Sequence, residues 1–176
     1  MDKNMAQDVK NSRIREGERR FAIDPADLPA DAGVVFIGRV TSPWTSRETC
    51  PKNMAAAAEA VQPASVTIDL AFREALVGLS GYSHAILLSW FDRSDRDLAI
   101  QKPRHAQEPR GTFALRSPVR PNPIGLHVVR VLGVDIANGR IELEGIDLLD
   151  GTPILDVKPY FASTDSVPGA TRTDDT

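Results

Sequence analysis

The segment GTFALRSPVRPNPIGL (Gly111–Leu126) combines residue types that rarely meet. Pro118, Pro121 and Pro123 forbid helix and remove three backbone donors, while Gly125 admits backbone angles that other residues avoid. Arg116 and Arg120 therefore ride on a stiff loop. A guanidinium held ready in this way binds carboxylate or phosphate with little further loss of entropy. The plainer alternative is a rigid connection whose arginines cap local carbonyls.

A second segment, GIDLLDGTPILDVKPY (Gly145–Tyr160), packs Asp147, Asp150 and Asp156 close to Lys158 and Tyr160. Asp150-Gly151-Thr152-Pro153 has turn chemistry, and such a turn is expected to expose backbone N–H and C=O groups able to read an adenine edge or a ribose. Clustered carboxylates shift each other's proton affinity and serve as general bases. The plainer alternative is a surface turn with Lys158 paired to an aspartate. A third segment, TSPWTSRETCPKN (Thr41–Asn53), holds Trp44, read as a core anchor, and Cys50, read as inert. In a fourth, FDRSDRD (Phe91–Asp97), an apolar run gives way to alternating charge, which suits a solvated loop or the rim of a pocket.

Other chemistries are missing. There is no Gly-x-Gly-x-x-Gly after the first strand-like run, no Walker loop and no Gly-x-Ser-x-Gly elbow. His84, His105 and His127 lack metal-ligand spacing, so no metal is expected. His84 and His127 fall inside strand-like patterns and read as satisfied sheet residues.

The elements that must position these residues are mostly strands. GVVFIGRVT (Gly33–Thr41), SVTIDL (Ser65–Leu70), SHAILLSWF (Ser83–Phe91), IGLHVVRVLGVD (Ile124–Asp135), RIELEGID (Arg140–Asp147) and ILDV (Ile154–Val157) carry β-branched content or alternation. Asn138-Gly139 between two of them is a strong hairpin signal. Helix is predicted for MAAAAEAVQ (Met54–Gln62), stopping before Pro63, and for a turn or two over FREALVGL (Phe72–Leu79). Helices do not alternate with strands, which argues against a doubly wound sheet. The expected class is mainly β, a single antiparallel barrel-like domain over residues 33–161 with a few short helices.

Outside that span, Met1–Ala32 reads as a loose charged arm with one anchoring segment near Phe21, Ile23 and Leu28, and residues 162–176 read as a disordered tail. The chain has 176 residues, 41% of them apolar and 26% charged, which excludes whole-chain disorder. A net charge of -3 excludes a generic polyanion binder, so a nucleic acid would need a local basic patch. The stretch Gln101–Arg130 supplies one: Lys102, Arg104, Arg110, Arg116, Arg120 and Arg130 against Glu108 alone. A single cysteine excludes a disulfide framework, and neither a membrane span nor a secretory signal is evident, so a cytoplasmic location is expected.

Taken together, IGRVTSPW, GLSGYSHAILLSWF, GTFALRSPVRPNPIGL and DLLDGTPILDVKPY resemble the TsaA-like (TrmO, VirR-related) family over roughly Val34–Tyr160. The resemblance implies a β-barrel methyltransferase that uses S-adenosyl-L-methionine to N6-methylate threonylcarbamoyladenosine beside the tRNA anticodon. It implies cofactor contacts at Pro51, Lys52 and Asn53, at Asp92 and Arg93, at Arg116 and Leu126, and at Asp150, Gly151, Thr152 and Pro153. Arg120 and Asn122 are the expected substrate contacts, and a homodimer is expected. The urea-like N6–H is a poor nucleophile, so a base should assist. Asp147, Lys158 and Tyr160 are the expected catalytic residues. A methyltransferase acting on a small molecule or protein, or a non-catalytic S-adenosyl-L-methionine-binding regulator, is the alternative.

Overall fold

A computed structural model describes residues 14–104 and 106–171. His105 lies outside the described residues, as do the ends of the arm and tail. The chain forms two compact units. One is built from residues 34–90 and the chain from 125 onward, the other from the chain up to 33 and residues 91–124.

The larger unit is a closed six-stranded barrel. In chain order its strands are β2 (Gly38–Thr41), β3 (Ala64–Ile68), β4 (His84–Trp90), β7 (Ile124–Asp135), β8 (Arg140–Leu143) and β9 (Pro153–Pro159). Around the barrel they run β2-β3-β8-β7-β4-β9. The β2–β3, β3–β8, β7–β8, β4–β9 and β2–β9 pairs are antiparallel. The expected mainly-β, barrel-like class is what forms, and closure leaves no open sheet edge.

Alternation decides which side chains fill the interior. Every second residue of β7, from Gly125 through His127 to Val129, is buried, while Leu126 and Val128 between them are exposed. β4 behaves likewise, with Ala85, Leu87 and Ser89 buried. Val40, Val66, Leu87, Val129, Ile141 and Ile154 are each 0–2% exposed and form the packed centre. The predicted hairpin joins β7 to β8, with Gly139 at φ +68° in its turn, where a Cβ would lie 2.5 Å from the Ile68 carbonyl oxygen.

Gly33–Ile37 do not extend β2 as the β-branched run suggests. The Ile37 amide instead donates to the Ile154 carbonyl (2.9 Å). The helix α1 (Met54–Ala60) starts where Asn53 Oδ1 accepts from the Ala56 amide at 2.9 Å. It ends at Val61 in a left-handed conformation, before Pro63. The second predicted helix is a tighter 3₁₀ turn over Leu70–Leu76. Ala162–Asp165 form one further helical turn, α2, with Asp165 Oδ2 accepting from the Phe161 amide (2.7 Å).

The smaller unit contains a three-stranded sheet, β1 (Arg19–Arg20), β5 (Leu98–Gln101) and β6 (Arg110–Gly111), in the order β1-β5-β6. The segment that ties the arm down is Arg15–Phe21 rather than the apolar residues after it; Ile23 is 61% and Leu28 54% exposed. The buried Glu18 carboxylate accepts from the Arg15 amide and guanidinium and from the Lys102 amide. Arg20 pairs with buried Asp97 at 2.6 Å, and the Phe21 amide donates to the Asp97 carbonyl at 2.8 Å. Charge satisfied inside the unit anchors the arm, a role that side-chain hydrophobicity could not foretell.

Candidate functional site

Strand parity brings two polar side chains into the barrel interior. Ser89 of β4 is 0% and His127 of β7 is 5% exposed, and Ser89 Oγ lies 3.0 Å from His127 Nε2. The other ring nitrogen, Nδ1, is 2.8 Å from Asp147 Oδ1. An ionised Asp147 only accepts, so Nδ1 carries the proton and donates to it; Nε2 is then the acceptor and the Ser89 hydroxyl donates. His127 is thus satisfied on both sides, as its strand position suggested, and one of its partners is an expected catalytic residue.

The loop after β8 carries Asp147 between two fully buried apolar neighbours, Ile146 and Leu148. Trp44 is half-buried rather than the core anchor expected, and its indole Nε1 donates to the Ile146 carbonyl at 2.9 Å. Gly145 lets the loop approach α1 closely, since a Cβ there would sit 2.7 Å from the Ala57 carbonyl oxygen. Asp147 itself keeps 15% of its side chain exposed, so its carboxylate spans the buried chain and the surface. Burial pushes the Cys50 thiol up to about 11, the nearby Asp147 charge adds to this, and Arg47 opposes it. A thiol so held is protonated at neutral pH, which makes Cys50 inert as anticipated.

The turn at Asp150–Pro153 is built differently from the open cradle expected of it. The Asp150 amide donates to the Trp44 carbonyl, the Gly151 amide to Val40 and the Thr152 amide to Leu149. No N–H of these three is left to read a base edge: those of Asp150 and Gly151 tie the turn to the chain at β2, and that of Thr152 closes the turn itself. Asp150 Oδ1 accepts from the Ser42 amide (3.1 Å), and Arg39 donates to the Gly151 carbonyl (2.9 Å). Thr152 and Pro153 are buried, so Asp150 and Gly151 form the accessible part of the turn.

Lys158 and Tyr160 stand apart from Asp147. Val157 pairs with Leu87, an interior residue, so Asp156 and Lys158 fall on the outward face of β9, opposite Leu88 and Ile86. There Lys158 Nζ and Asp156 Oδ2 form a half-exposed ion pair at 2.6 Å. The Tyr160 ring leans on His84, with centroids 6.4 Å apart. The three carboxylates therefore do not cluster: Asp147 engages His127, Asp150 engages Ser42, and Asp156 engages Lys158. Leu126 points outward from β7, Lys52 is exposed, Pro51 is half-buried, and Asn53 caps α1.

Asp92, Arg93, Arg116, Arg120 and Asn122 belong to the smaller unit. Asp92, Arg93 and Arg116 are exposed there. The Pro-rich loop is clamped from beneath: Gln101 Nε2 donates to the Val119 carbonyl (2.6 Å) and to Thr112 Oγ1 (2.8 Å). Arg96 donates to Asn122 Oδ1 (3.3 Å), and Arg120 to the Leu115 carbonyl (3.4 Å). Sequence reading missed Ser89 and His127 as members of a site. The usable signal was parity, since both are polar residues on strand faces otherwise apolar and buried.

Among the described residues no three His, Cys, Asp or Glu side chains gather as a metal site, and no helix is long and apolar enough to cross a membrane. A family model for the N-terminal domain of tRNA-methyltransferase O matches residues 39–166. The chain is 37% identical over 151 residues to a protein of Rhizobium radiobacter named as the probable S-adenosyl-L-methionine-binding protein VirR, covering 86% of this chain and 82% of that one. It is 40% identical over 94 residues to the mouse tRNA (adenine(37)-N6)-methyltransferase, covering 52% of this chain and 21% of the relative. Among solved structures, TrmO from Pseudomonas aeruginosa superposes with a TM-score of 0.65 at 36% identity, over 82% of this chain and 63% of that one. The chain thus spans under two thirds of that solved protein's length, and the match takes in β2 to β9 together with the loop bearing Asp147. On this evidence the chain belongs to the tRNA-methyltransferase O family through that family's N-terminal domain.

Proposed function

We propose that the protein is an S-adenosyl-L-methionine-dependent methyltransferase acting on N6 of an adenine in tRNA, with threonylcarbamoyladenosine beside the anticodon as acceptor. The observation that carries this reading is the family match across residues 39–166. The relatives' names support it, one as a tRNA adenine N6-methyltransferase and one as an S-adenosyl-L-methionine-binding protein.

The accessible groups suit that cofactor's chemistry. On the barrel unit, exposed Lys52 matches an α-carboxylate and the exposed Asp150 carboxylate matches ribose hydroxyls; on the smaller unit, exposed Arg116 matches an anion. When bound, the cofactor supplies a methyl group on a positive sulfonium. The acceptor would be N6 of the adenine, with the thioether as leaving group. The proton lost from N6 passes to Asp147, the base of this proposal, and then to water. Arg120 and Asn122 act as RNA contacts, with the basic stretch Gln101–Arg130 supplying charge toward phosphates. Lys158 is a weaker choice of base than Asp147, because its amine is engaged with Asp156 on the outward face of β9. Tyr160 acts in this reading as a binding group on the outer face.

A homodimer is part of the proposal. Leu126, Val128 and Leu132 lie on the outer face of β7 with exposures of 48%, 39% and 61%, and Arg130, paired with Glu144, stands between the last two; a second copy is proposed to cover this face. A tRNA substrate implies action in the cytoplasm. The test is radiolabelled methyl transfer onto tRNA from a strain lacking the endogenous activity, followed by nucleoside mass spectrometry. Label on an N6-methylated threonylcarbamoyladenosine is the expected result. Cofactor binding without turnover on any tRNA would favour the regulator reading.

A further inference from the structure

We infer that His127 is a positioning residue: the hydrogen-bonded chain Ser89–His127–Asp147 fixes the direction of the Asp147 carboxylate toward the acceptor. This inference rests on the reading of Asp147 as the base.

The geometry separates this chain from a nucleophile triad. Ser89 Oγ is fully enclosed in the barrel, so no substrate reaches it. The order of exposure is the reverse of a nucleophile's requirement, rising from Ser89 at 0% through the His127 side chain at 6% to that of Asp147 at 15%. The end that meets the outside is the carboxylate. Inside the barrel the chain ends at a hydroxyl, which has a proton to give to Nε2 but no route to exchange it with substrate. His127 therefore does not relay a proton; it orients. Its Nδ1–H takes Oδ1 at 2.8 Å, which turns the other carboxylate oxygen away from the ring and toward the accessible side.

Each link restricts the next. β4 and β7 place Ser89 and His127 on the buried inner face by strand parity. Asp147 selects the tautomer, because a carboxylate only accepts and so keeps the proton on Nδ1, and Ser89 reinforces that choice by donating to Nε2. The loop side of the carboxylate is fixed separately, by Trp44 on the Ile146 carbonyl and by the close approach of Gly145 to Ala57. A carboxylate held from both ends loses little entropy when a substrate N–H arrives.

The test uses the full chain. Long-range 15N spectra of the histidine rings in the free protein should show, for His127, a protonated Nδ1 and an unprotonated Nε2. His127→Leu should lower kcat for tRNA methylation roughly a hundredfold, with KM and cofactor affinity unchanged. His127→Asn places an amide N–H near the position of Nδ1 and should recover most of that rate. Ser89→Ala, the gentler variant should the Leu substitution not fold, should lose several-fold and show a mixed ring tautomer. A protonated Nε2 in the wild type, an Asn variant as poor as the Leu variant, or a Leu variant at full rate would each overturn the inference. Full activity in Asp147→Asn would overturn the base reading, and with it the purpose of the chain. The ring spectrum still judges the hydrogen-bond chain by itself, even if no tRNA is methylated.

Discussion

In the barrel unit the innermost side chains are Val40, Val66, Leu87, Val129, Ile141 and Ile154, with Ser65, Ser89, His127 and Thr152 as buried polar exceptions. In the unit formed by residues 14–33 and 91–124 the proportions reverse. There the buried side chains are Glu18, Asp97, Gln101 and Thr112, with Pro123 beside them. Burial of apolar area contributes on the order of 25 cal/mol per Å², whereas a buried hydrogen bond contributes only about 1 kcal/mol net. The barrel is therefore the cooperative body, and the smaller unit is a set of polar clamps expected to open locally at lower free energy. The expected catalytic carboxylate sits on the first, while the arginine-bearing Pro-rich loop sits on the second. Rigid placement thus goes to the proposed base and adjustable placement to the proposed anion-binding groups.

Truncating the barrel core should produce the largest effect. Leu87 is 0% exposed, and Leu87→Ala should cost about 2–5 kcal/mol in denaturant unfolding, with β3 and β8 amides losing exchange protection together. In the other unit, Gln101→Leu removes the donor to both Thr112 Oγ1 and the Val119 carbonyl. About 1–3 kcal/mol should be lost, confined to amides of β5 and the Pro-rich loop. Equal loss of protection in β3 and β8 would break the distinction between body and clamp.

Acid should separate the units by a different route. Burial raises the Glu18 carboxyl, but hydrogen bonds from the Arg15 side chain, the Arg15 amide and the Lys102 amide outweigh it and leave the group below its ordinary 4.5. A carboxylate whose folded value is depressed stabilises the fold above its unfolded value, and that stability is lost as pH falls below about 4.5. Amide exchange at Phe21 and Lys102 should therefore quicken, after correction for intrinsic rates, between pH 5 and pH 3. The β3 and β8 amides should hold. In Glu18→Gln the pH dependence of the clamp should vanish.

Legibility followed the same divide. β7 begins and ends where alternation placed it, Ile124–Asp135, and β8 begins at Arg140 after the Asn138-Gly139 turn. Such strands are readable because one face meets a core and the pattern repeats every second residue. β1 and β6 have two residues each, too few to alternate, and β1 is anchored by charges whose partners lie far along the chain. Glu18 meets Lys102 and Arg20 meets Asp97, pairings that composition cannot reveal. At the site, the residue types around Asp147 were readable but their directions were not. Asp156 and Lys158 face outward because of where β9 pairs with β4, a register written in neither strand alone. The turn at Asp150–Pro153 looked open because turn propensity says nothing of which partners consume its amides.

The smallest effect tests how much local strain the barrel unit tolerates. Val61 is the one non-glycine residue with positive φ among those described, at φ 47°, ψ 48°, and it is 78% exposed. A β-branched side chain in the left-handed region costs about 1–2 kcal/mol, and no burial of Val61 repays it. Glycine at this position after α1 would relieve that cost. The gain is offset by the wider freedom glycine gives the unfolded chain, about 0.5–1 kcal/mol. Val61→Gly should therefore stabilise the protein by roughly 0.5 kcal/mol, read as a rise of a degree or two in Tm. A loss instead would mean that the left-handed turn is set by α1 packing against the Gly145 loop, and that this helix is less independent than its exposed Val61 suggests.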